Sequence, residues 1–104
     1  MTTSGESQRP DSGATTIAAG TAVDYGWALP RREMFVTNAG ESGCKLLVKF
    51  NAGLPASLTN WDAEVNPGDL CPGPETVHVA SVSIYNAGAT AVAMGTDFVV
   101  GGWA

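Results

Sequence analysis

The sequence predicts an all-β protein: an antiparallel sandwich of two sheets, jelly-roll-like, with about seven or eight short strands after a flexible N-terminal arm. Apolar and polar residues alternate along several short segments, as in strands with one buried and one solvated face. Turn residues interrupt the chain every ~8–12 residues, and its 104 residues include 13 glycines and 6 prolines. No segment has a sustained helical period, and the length fits one domain.

The chain divides into an arm and a body. Residues 1–13 contain no large apolar side chain after Met1, so they cannot bury a core and are predicted to be flexible. Residues 14–104 contain the apolar segments and form the predicted β domain. Removal of residues 1–13 is expected to leave the fold intact and to weaken the binding of a partner on which the arm orders.

The first half of the body contains three predicted strands. A short strand at residues 15–19 is followed by an irregular or edge segment that ends at Pro30. Residues 32–38 form the second strand, and residues 44–51 form the third and clearest one. The apolar face of the third strand consists of Cys44, Leu46, Val48 and Phe50.

The second half contains the remaining strands, separated by Gly and Pro turns. They are predicted at residues 61–65, 76–86, 90–94 and 97–103. In the segment 76–86 the apolar positions change parity, which indicates a β-bulge near Ala80–Ser81. The sequences "NPGD" (66–69) and "CPGPE" (71–75) are predicted to be turns.

The tripeptide Asn-Ala-Gly occurs three times, at residues 38–40, 51–53 and 86–88. Asparagine bonds its neighbouring backbone, and glycine adopts positive φ without steric cost, so each triplet is predicted to be a turn with a left-handed glycine. The first and third triplets directly precede a new strand. Each is therefore predicted to close a hairpin between consecutive strands.

Charge excludes two classes of partner. Only 14% of the residues are charged, the net charge is −5, and five Lys and Arg residues do not make a basic patch. Binding to nucleic acid or to an anionic membrane surface is therefore not expected. The N-terminal sequence has no apolar stretch typical of a secretory signal, so synthesis in a cytosol is expected.

The sequence contains no residue pattern typical of a catalytic, cofactor or metal site, and the protein is not expected to be an enzyme. His78, the single histidine, has no neighbouring carboxylate to orient it. Residues 62–69 place oxygen-bearing side chains at alternate positions, but Pro67 stands where a calcium loop requires glycine. Cys44 and Cys71 are expected to be two reduced thiols, with a single bridge between them as the alternative.

Aromatic residues are the candidate partner-binding groups. Tyr25 and Trp27 lie in "DYGWALP", between Gly and Pro residues, where a surface position would let them anchor a partner. The alternative places Trp61 and Trp103 in the core and Trp27 under a loop.

The whole pattern resembles the small β-sandwich decoration (cement) proteins that coat the heads of tailed bacteriophages. The resemblance is carried by a polar arm leading into "ATTIAAGTAV", a body punctuated by Gly and Asn, and the closing segment "SVSIYNAGATAVAMGTDFVVGGW". It implies a non-enzymatic protein, made in the host cytoplasm, that binds the major capsid protein on the outer surface of the virion. It also implies a homo-oligomer, a trimer or alternatively a dimer. Thr15 and Thr16 are further candidate partner contacts beside Tyr25 and Trp27.

A second class of function is a carbohydrate- or surface-binding module of a fibre or adhesin. Such a module would use Tyr25, Trp27 or Trp61 as a stacking platform, with Asp and Asn side chains as hydrogen-bonding partners.

Overall fold

The computed structural model describes residue 10 and residues 12–31, 33–39, 43–51, 55–74 and 79–103, apart from the side chains of Leu29 and Trp103. Over these residues the protein is all-β, with nine strands and no helix. The strands are β1 (Thr16–Ile17), β2 (Ala22–Arg31), β3 (Glu33–Asn38), β4 (Leu46–Phe50), β5 (Ala63–Val65), β6 (Leu70–Pro72), β7 (Val79–Asn86), β8 (Val92–Ala93) and β9 (Phe98–Trp103).

The described strands form three sheets, in which all strand pairs are antiparallel. The orders are β2-β7-β4-β5, β6-β3-β9 and β1-β8. Four of the pairings are nested, because β1 pairs with β8, β2 with β7, β3 with β6, and β4 with β5. Strands that follow each other along the chain therefore usually lie in different sheets.

The four-stranded and three-stranded sheets bury side chains in one core. Alternate residues point inward on each strand, as the period of two requires. Tyr25 of β2 and Phe98 of β9 meet across the sheets with ring centroids 6.1 Å apart and an edge-to-face angle of 64°. This arrangement is compatible with a β-sandwich. The inward residues are Ile17, Tyr25, Trp27, Met34, Val36, Cys44, Leu46, Val48, Val65, Val79, Val82, Ile84, Val92, Phe98 and Val100.

The strand β4 confirms the predicted apolar face and adds a second buried position. Leu46 and Val48 lie in the core. Leu47 points to the other face but is only 2% exposed. Residues 55–60 pass over that outer face, since the backbone N–H of Ala56 donates to Oγ of Ser83 at 2.8 Å.

The strand β2 replaces the irregular segment predicted before Pro30. It is ten residues long and loses register with β7 between Gly26 and Arg31. Four residues of β2 (27–30) lie there opposite the single residue Ala80, because Gly26 pairs with Ser81 and Arg31 with Val79. The irregularity predicted near Ala80–Ser81 is present, but the extra residues belong to the partner strand.

The strand β6 was missed by the sequence analysis, which assigned its last two residues to a turn. Leu70–Pro72 pairs with β3 at the edge of the three-stranded sheet, a position where proline is tolerated because one side of the strand needs no ladder hydrogen bond. The turn before it is confirmed: Gly68 has φ 89°, and the N–H of Asp69 donates to the carbonyl of Asn66 at 2.9 Å.

The two predicted hairpins at Asn-Ala-Gly triplets are wrong. The triplet at 38–40 connects β3 to β4, and the triplet at 86–88 connects β7 to β8, but both connections lead from one sheet to another. Turn residues specify that the chain reverses, whereas the pairing partner of the next strand is decided by contacts distant in sequence. The triplets therefore mark the corners between sheets.

Two of the triplet asparagines are buried and hold these corners. Nδ2 of Asn38 donates to the carbonyls of Cys44 (2.7 Å) and Val65 (3.0 Å). Nδ2 of Asn86 donates to the carbonyls of Ile17 (3.0 Å) and Thr90 (2.7 Å). Each amide thus joins a strand of one sheet to the backbone of another.

The glycine of the third triplet serves a different purpose from the one predicted. Gly88 does not have a positive φ. A Cβ at this position would lie 2.2 Å from Sγ of Cys44, so the close approach of two chain segments requires glycine. In the second triplet the left-handed residue is Asn51 itself, with φ 50°. The glycines of the first and second triplets, Gly40 and Gly53, lie outside the described residues.

The described end of the predicted arm packs on β2. Ser12 and Gly26 exchange two backbone hydrogen bonds of 3.3 Å. Gly13 has φ 123°, and a Cβ there would lie 2.4 Å from the Tyr25 ring. Ser12 and Gly13 therefore belong to the packed body, and residues 1–9 and 11 of the predicted arm lie outside the described residues.

Replacing Asn86 with alanine tests the corner amides. Asn86→Ala removes the donor to two carbonyls and is expected to lower the free energy of unfolding by about 2–3 kcal/mol. Urea unfolding measures the loss. Asn66→Ala, at an exposed turn position, is the matched control and should change stability by less than about 0.5 kcal/mol. Equal effects of the two substitutions would contradict the structural role of the Asn86 amide.

Candidate functional site

Tyr25 and Trp27 are buried, so neither ring has the surface position that would let it anchor a partner. They are 1% and 5% exposed, respectively. Both occupy the inward parity of β2, on the same face as Val23, and the intervening Gly26 keeps the strand extended. The Gly and Pro residues around them indicate an irregular loop in sequence, but a period of two within a strand decides where the rings point.

Tyr25 fastens the segment before β1 to the core. Its hydroxyl donates to the carbonyl of Ala14 at 2.6 Å. Burial raises the pKa of Tyr25 to about 12, because the phenolate would lose its hydration.

Thr15 and Thr16 are both exposed, and Thr15 lies between two adjoining pockets that also share Met94. The N–H of Met94 donates to the carbonyl of Thr15 at 2.7 Å. The structure thus brings together Thr15 and Tyr25, whereas Trp27 lines neither pocket. We call this region the Thr15–Met94 surface. One pocket, of about 260 Å³, is lined by Thr15, Met94, Gly95, Val99 and Val100, and the other, of about 180 Å³, by Pro10, Ser12, Gly13, Thr15, Tyr25 and Met94.

A second surface lies between the edge strands β5 and β6, and we call it the β5–β6 groove. Its volume is about 490 Å³, and it is lined by Phe50, Asn51, Asp62, Ala63, Cys71, Pro72, Gly73 and Pro74. Trp61 and Leu70, which immediately precede two of the lining residues, are 41% and 61% exposed. Exposed large apolar side chains at the edges of two sheets are suited to contact a partner.

Of the two exposed residues at this groove, the sequence leaves Trp61 open between core and surface and does not predict a surface position for Leu70. The alternative that assigns Trp61 to the core is wrong, and the side chain of Trp103 lies outside the described residues. The sequence does not indicate that Leu70 is exposed, because this residue follows a strong turn sequence and its strand was not predicted. Leu58, on the segment that passes over β4, is 65% exposed and was likewise not singled out.

Two of the three carboxylates in the segment 62–69 form ion pairs with lysines. Asp62 lies 3.4 Å from Lys49, and Glu64 lies 3.4 Å from Lys45. Asp62 also accepts a 2.9 Å hydrogen bond from the N–H of Phe50. Among the residues that the structure describes, no three His, Cys, Asp or Glu side chains are grouped closely enough to hold a metal ion. His78 lies outside the described residues.

The two cysteines are not joined by a disulfide bond. Cys44 is 2% exposed, and its Sγ lies 3.4 Å from the carbonyl of Thr90, to which it donates. Cys71 is half-buried at the β5–β6 groove, and burial raises the pKa of its thiol. A raised pKa is the opposite of the change that activates a thiol as a nucleophile, so Cys71 is a poor nucleophile.

Comparisons with protein-family models, with curated proteins and with solved structures find no match to this chain. In the part of the chain that the structure describes, no helix has the length and apolar character needed to span a bilayer. What the protein binds has therefore to be inferred from its own residues.

Alkaline unfolding tests the burial of Tyr25. Below pH 10 the phenol is protonated in both folded and unfolded chains, so its contribution to stability is complete. Between pH 10 and about 12 the unfolded phenol ionises while the folded one stays protonated, so the free energy of unfolding falls by about 2–3 kcal/mol. Tyr25→Phe should be about 1 kcal/mol less stable at neutral pH but should lack this alkaline loss. Tyr85→Phe is the control and should retain it.

Thiol labelling tests the cysteine environments. A thiol reagent at neutral pH is expected to modify Cys71 slowly and Cys44 only on global unfolding, because Cys44 is 2% exposed. Cys71→Ser should therefore leave no native-state reaction. Mass spectrometry that finds the two cysteines joined in the purified protein would establish the disulfide alternative instead.

Proposed function

We propose that this protein is a capsid decoration (cement) protein: a non-enzymatic virion component that binds the outer surface of a tailed bacteriophage head. Its partner is the major capsid protein in the assembled shell, and its action is to hold neighbouring shell subunits together. The observation that carries the proposal is the anchoring of the N-terminal arm. Ser12, at the described end of the arm, pairs with the edge of β2 beside the exposed Thr15–Met94 surface, which supports a partner contact that includes both the arm and this surface.

We also infer that the body is a two-layer sandwich of the jelly-roll type. In that fold the chain behaves as one long hairpin wrapped around a core, so the first strand pairs with the last and the middle strands pair with each other. The nested pairs β1–β8, β2–β7, β3–β6 and β4–β5 support this topology. The strands β8 and β9, which are joined by the turn at residues 94–97, act as two halves of the eighth strand.

Decoration by a small protein depends on many weak contacts made at once. A trimer, or alternatively a dimer, engages the shell through several equivalent surfaces and gains avidity of ~10²–10⁴ over one contact. The exposed apolar side chains near the β5–β6 groove, Trp61 and Leu70, supply contact area either between copies or to the shell. The low charge fraction of 14% suits a surface that is covered by a partner.

The exposure of Trp61 favours one competing function, a carbohydrate- or surface-binding module of a fibre or adhesin. The ring is 41% exposed, and the neighbouring Asp62 lines the β5–β6 groove, so sugar stacking with a polar partner is geometrically available. Tyr25 and Trp27 cannot form such a platform because they are buried. Glycan binding that Trp61→Ala abolishes would favour this second function.

Cosedimentation with shells tests the decoration proposal. The protein is mixed with assembled shells of the major capsid protein from the same genome, and with the unassembled subunit as control. We expect saturable binding to shells at a fixed ratio and little binding to the subunit. Removal of residues 1–9, which spares Ser12, should leave the melting temperature unchanged and weaken shell binding about tenfold or more.

A second arm variant separates sequence from length. Replacing residues 1–9 with nine residues of Gly and Ser keeps the length, so it should bind as weakly as the truncated protein if the arm makes specific contacts. A wild-type protein that fails to bind shells at any ratio would overturn the decoration function.

A further inference from the structure

Arg31, the last residue of β2, is a buried arginine that has no carboxylate partner among the residues the structure describes. It is 8% exposed, and its Nε is buried with no hydrogen-bond partner. The ion pairs among the described residues, Lys45–Glu64 and Lys49–Asp62, do not include it. A guanidinium that has left water normally acquires a counter-charge, so the isolated chain leaves Arg31 incompletely satisfied.

The register shift of β2 places Arg31 over an aromatic ring. Trp27 and Arg31 lie at the two ends of the segment that loses register with β7. The guanidinium carbon is 5.9 Å from the centre of the Trp27 ring, and Trp27 is itself only 5% exposed. A bulge that re-aims a side chain is often found beside a functional site. The cation–π contact orients the guanidinium but offsets only part of its desolvation.

We propose that Arg31 is a recognition site for a carboxylate that a partner protein presents to this end of β2. The planar guanidinium offers paired donors that match a carboxylate, and the packed Trp27 ring holds it in a fixed orientation. The protein carries a net charge of −5, which disfavours a polyanion but allows a single carboxylate at a local positive site. Arg and Trp are also the residue types that concentrate at the desolvated centre of protein interfaces.

This inference rests on the proposed function for the identity of the partner, the shell protein, but not for the site itself. Arg31 retains 8% of its surface exposed, and its chain neighbours Pro30 and Glu33 are exposed, so a partner at this end of β2 has a route to the guanidinium. A partner carboxylate would complete the hydrogen bonding of a group already oriented for it.

The test compares Arg31→Met, which keeps length and removes charge, with Arg31→Lys and with the control Lys45→Met, which removes an exposed charge. Two measurements are made: binding to assembled shells, and the melting temperature of the isolated protein in sodium acetate against sodium chloride at equal ionic strength. Acetate is the carboxylate probe.

We expect Arg31→Met to melt at or above the wild-type temperature, since it removes an unpaired buried charge, and to bind shells at least about tenfold more weakly. Arg31→Lys should not restore binding, because an ammonium lacks the paired donors. Acetate should raise the melting temperature of the wild type and of Lys45→Met by about 2 °C or more, and should not affect Arg31→Met.

The outcomes separate this site from the proposed function. Normal shell binding by Arg31→Met overturns the carboxylate site and leaves decoration standing. If the wild type does not bind shells, decoration fails, and an Arg31-dependent acetate shift still supports the site. Without such a shift, or with Arg31→Met destabilised in isolation, Arg31 is structural and the inference is overturned.

Discussion

Two buried asparagine amides hold the corners on which the rest of this structure depends. Because consecutive strands mostly lie in different sheets, each corner leaves backbone carbonyls that no ladder satisfies. Asn38 lies at the end of β3 in the three-stranded sheet. Its side-chain amide donates hydrogen bonds to the carbonyls of Cys44 and Val65, on the side of the four-stranded sheet. Asn86 does the same from β7 toward Ile17 of β1. The two amides together pair four backbone carbonyls at these corners, and the apolar faces on either side stay in contact.

The sequence predicts this fold best where the information is local. The faces of β4, the turn that ends at Gly68 and the absence of helix among the described residues follow from alternation and turn chemistry. The pairing of strands does not, since an Asn-Ala-Gly corner looks the same whether the next strand joins the same sheet or another. The strand β6 was not predicted because Pro72 usually indicates a turn. An edge strand tolerates proline, but the edge position of β6 depends on pairing that the local sequence does not show.

The candidate surfaces are less predictable than the fold. Tyr25 and Trp27 lie inside a strand whose inner face is covered, whereas Trp61 precedes β5 and is exposed, and residue types show neither property. Arg31 is harder still, because its inward position depends on four residues of β2 facing one residue of β7. Composition does set useful limits, since the acidic balance and the scarcity of Lys and Arg argue against nucleic acid before any coordinate is known.

The nested pairing also governs how this chain can be assembled during synthesis. Among the described strands, β4 and β5 are the ones that are consecutive along the chain and also hydrogen-bonded to each other, so they can pair as soon as β5 has left the ribosome. Each outer pair encloses a longer loop and must wait for a later strand, and the outermost described pair joins β1 to β8. Such long-range closure makes folding slow compared with a helical protein of this size, and strand edges remain open to other chains until their partner strands have been made.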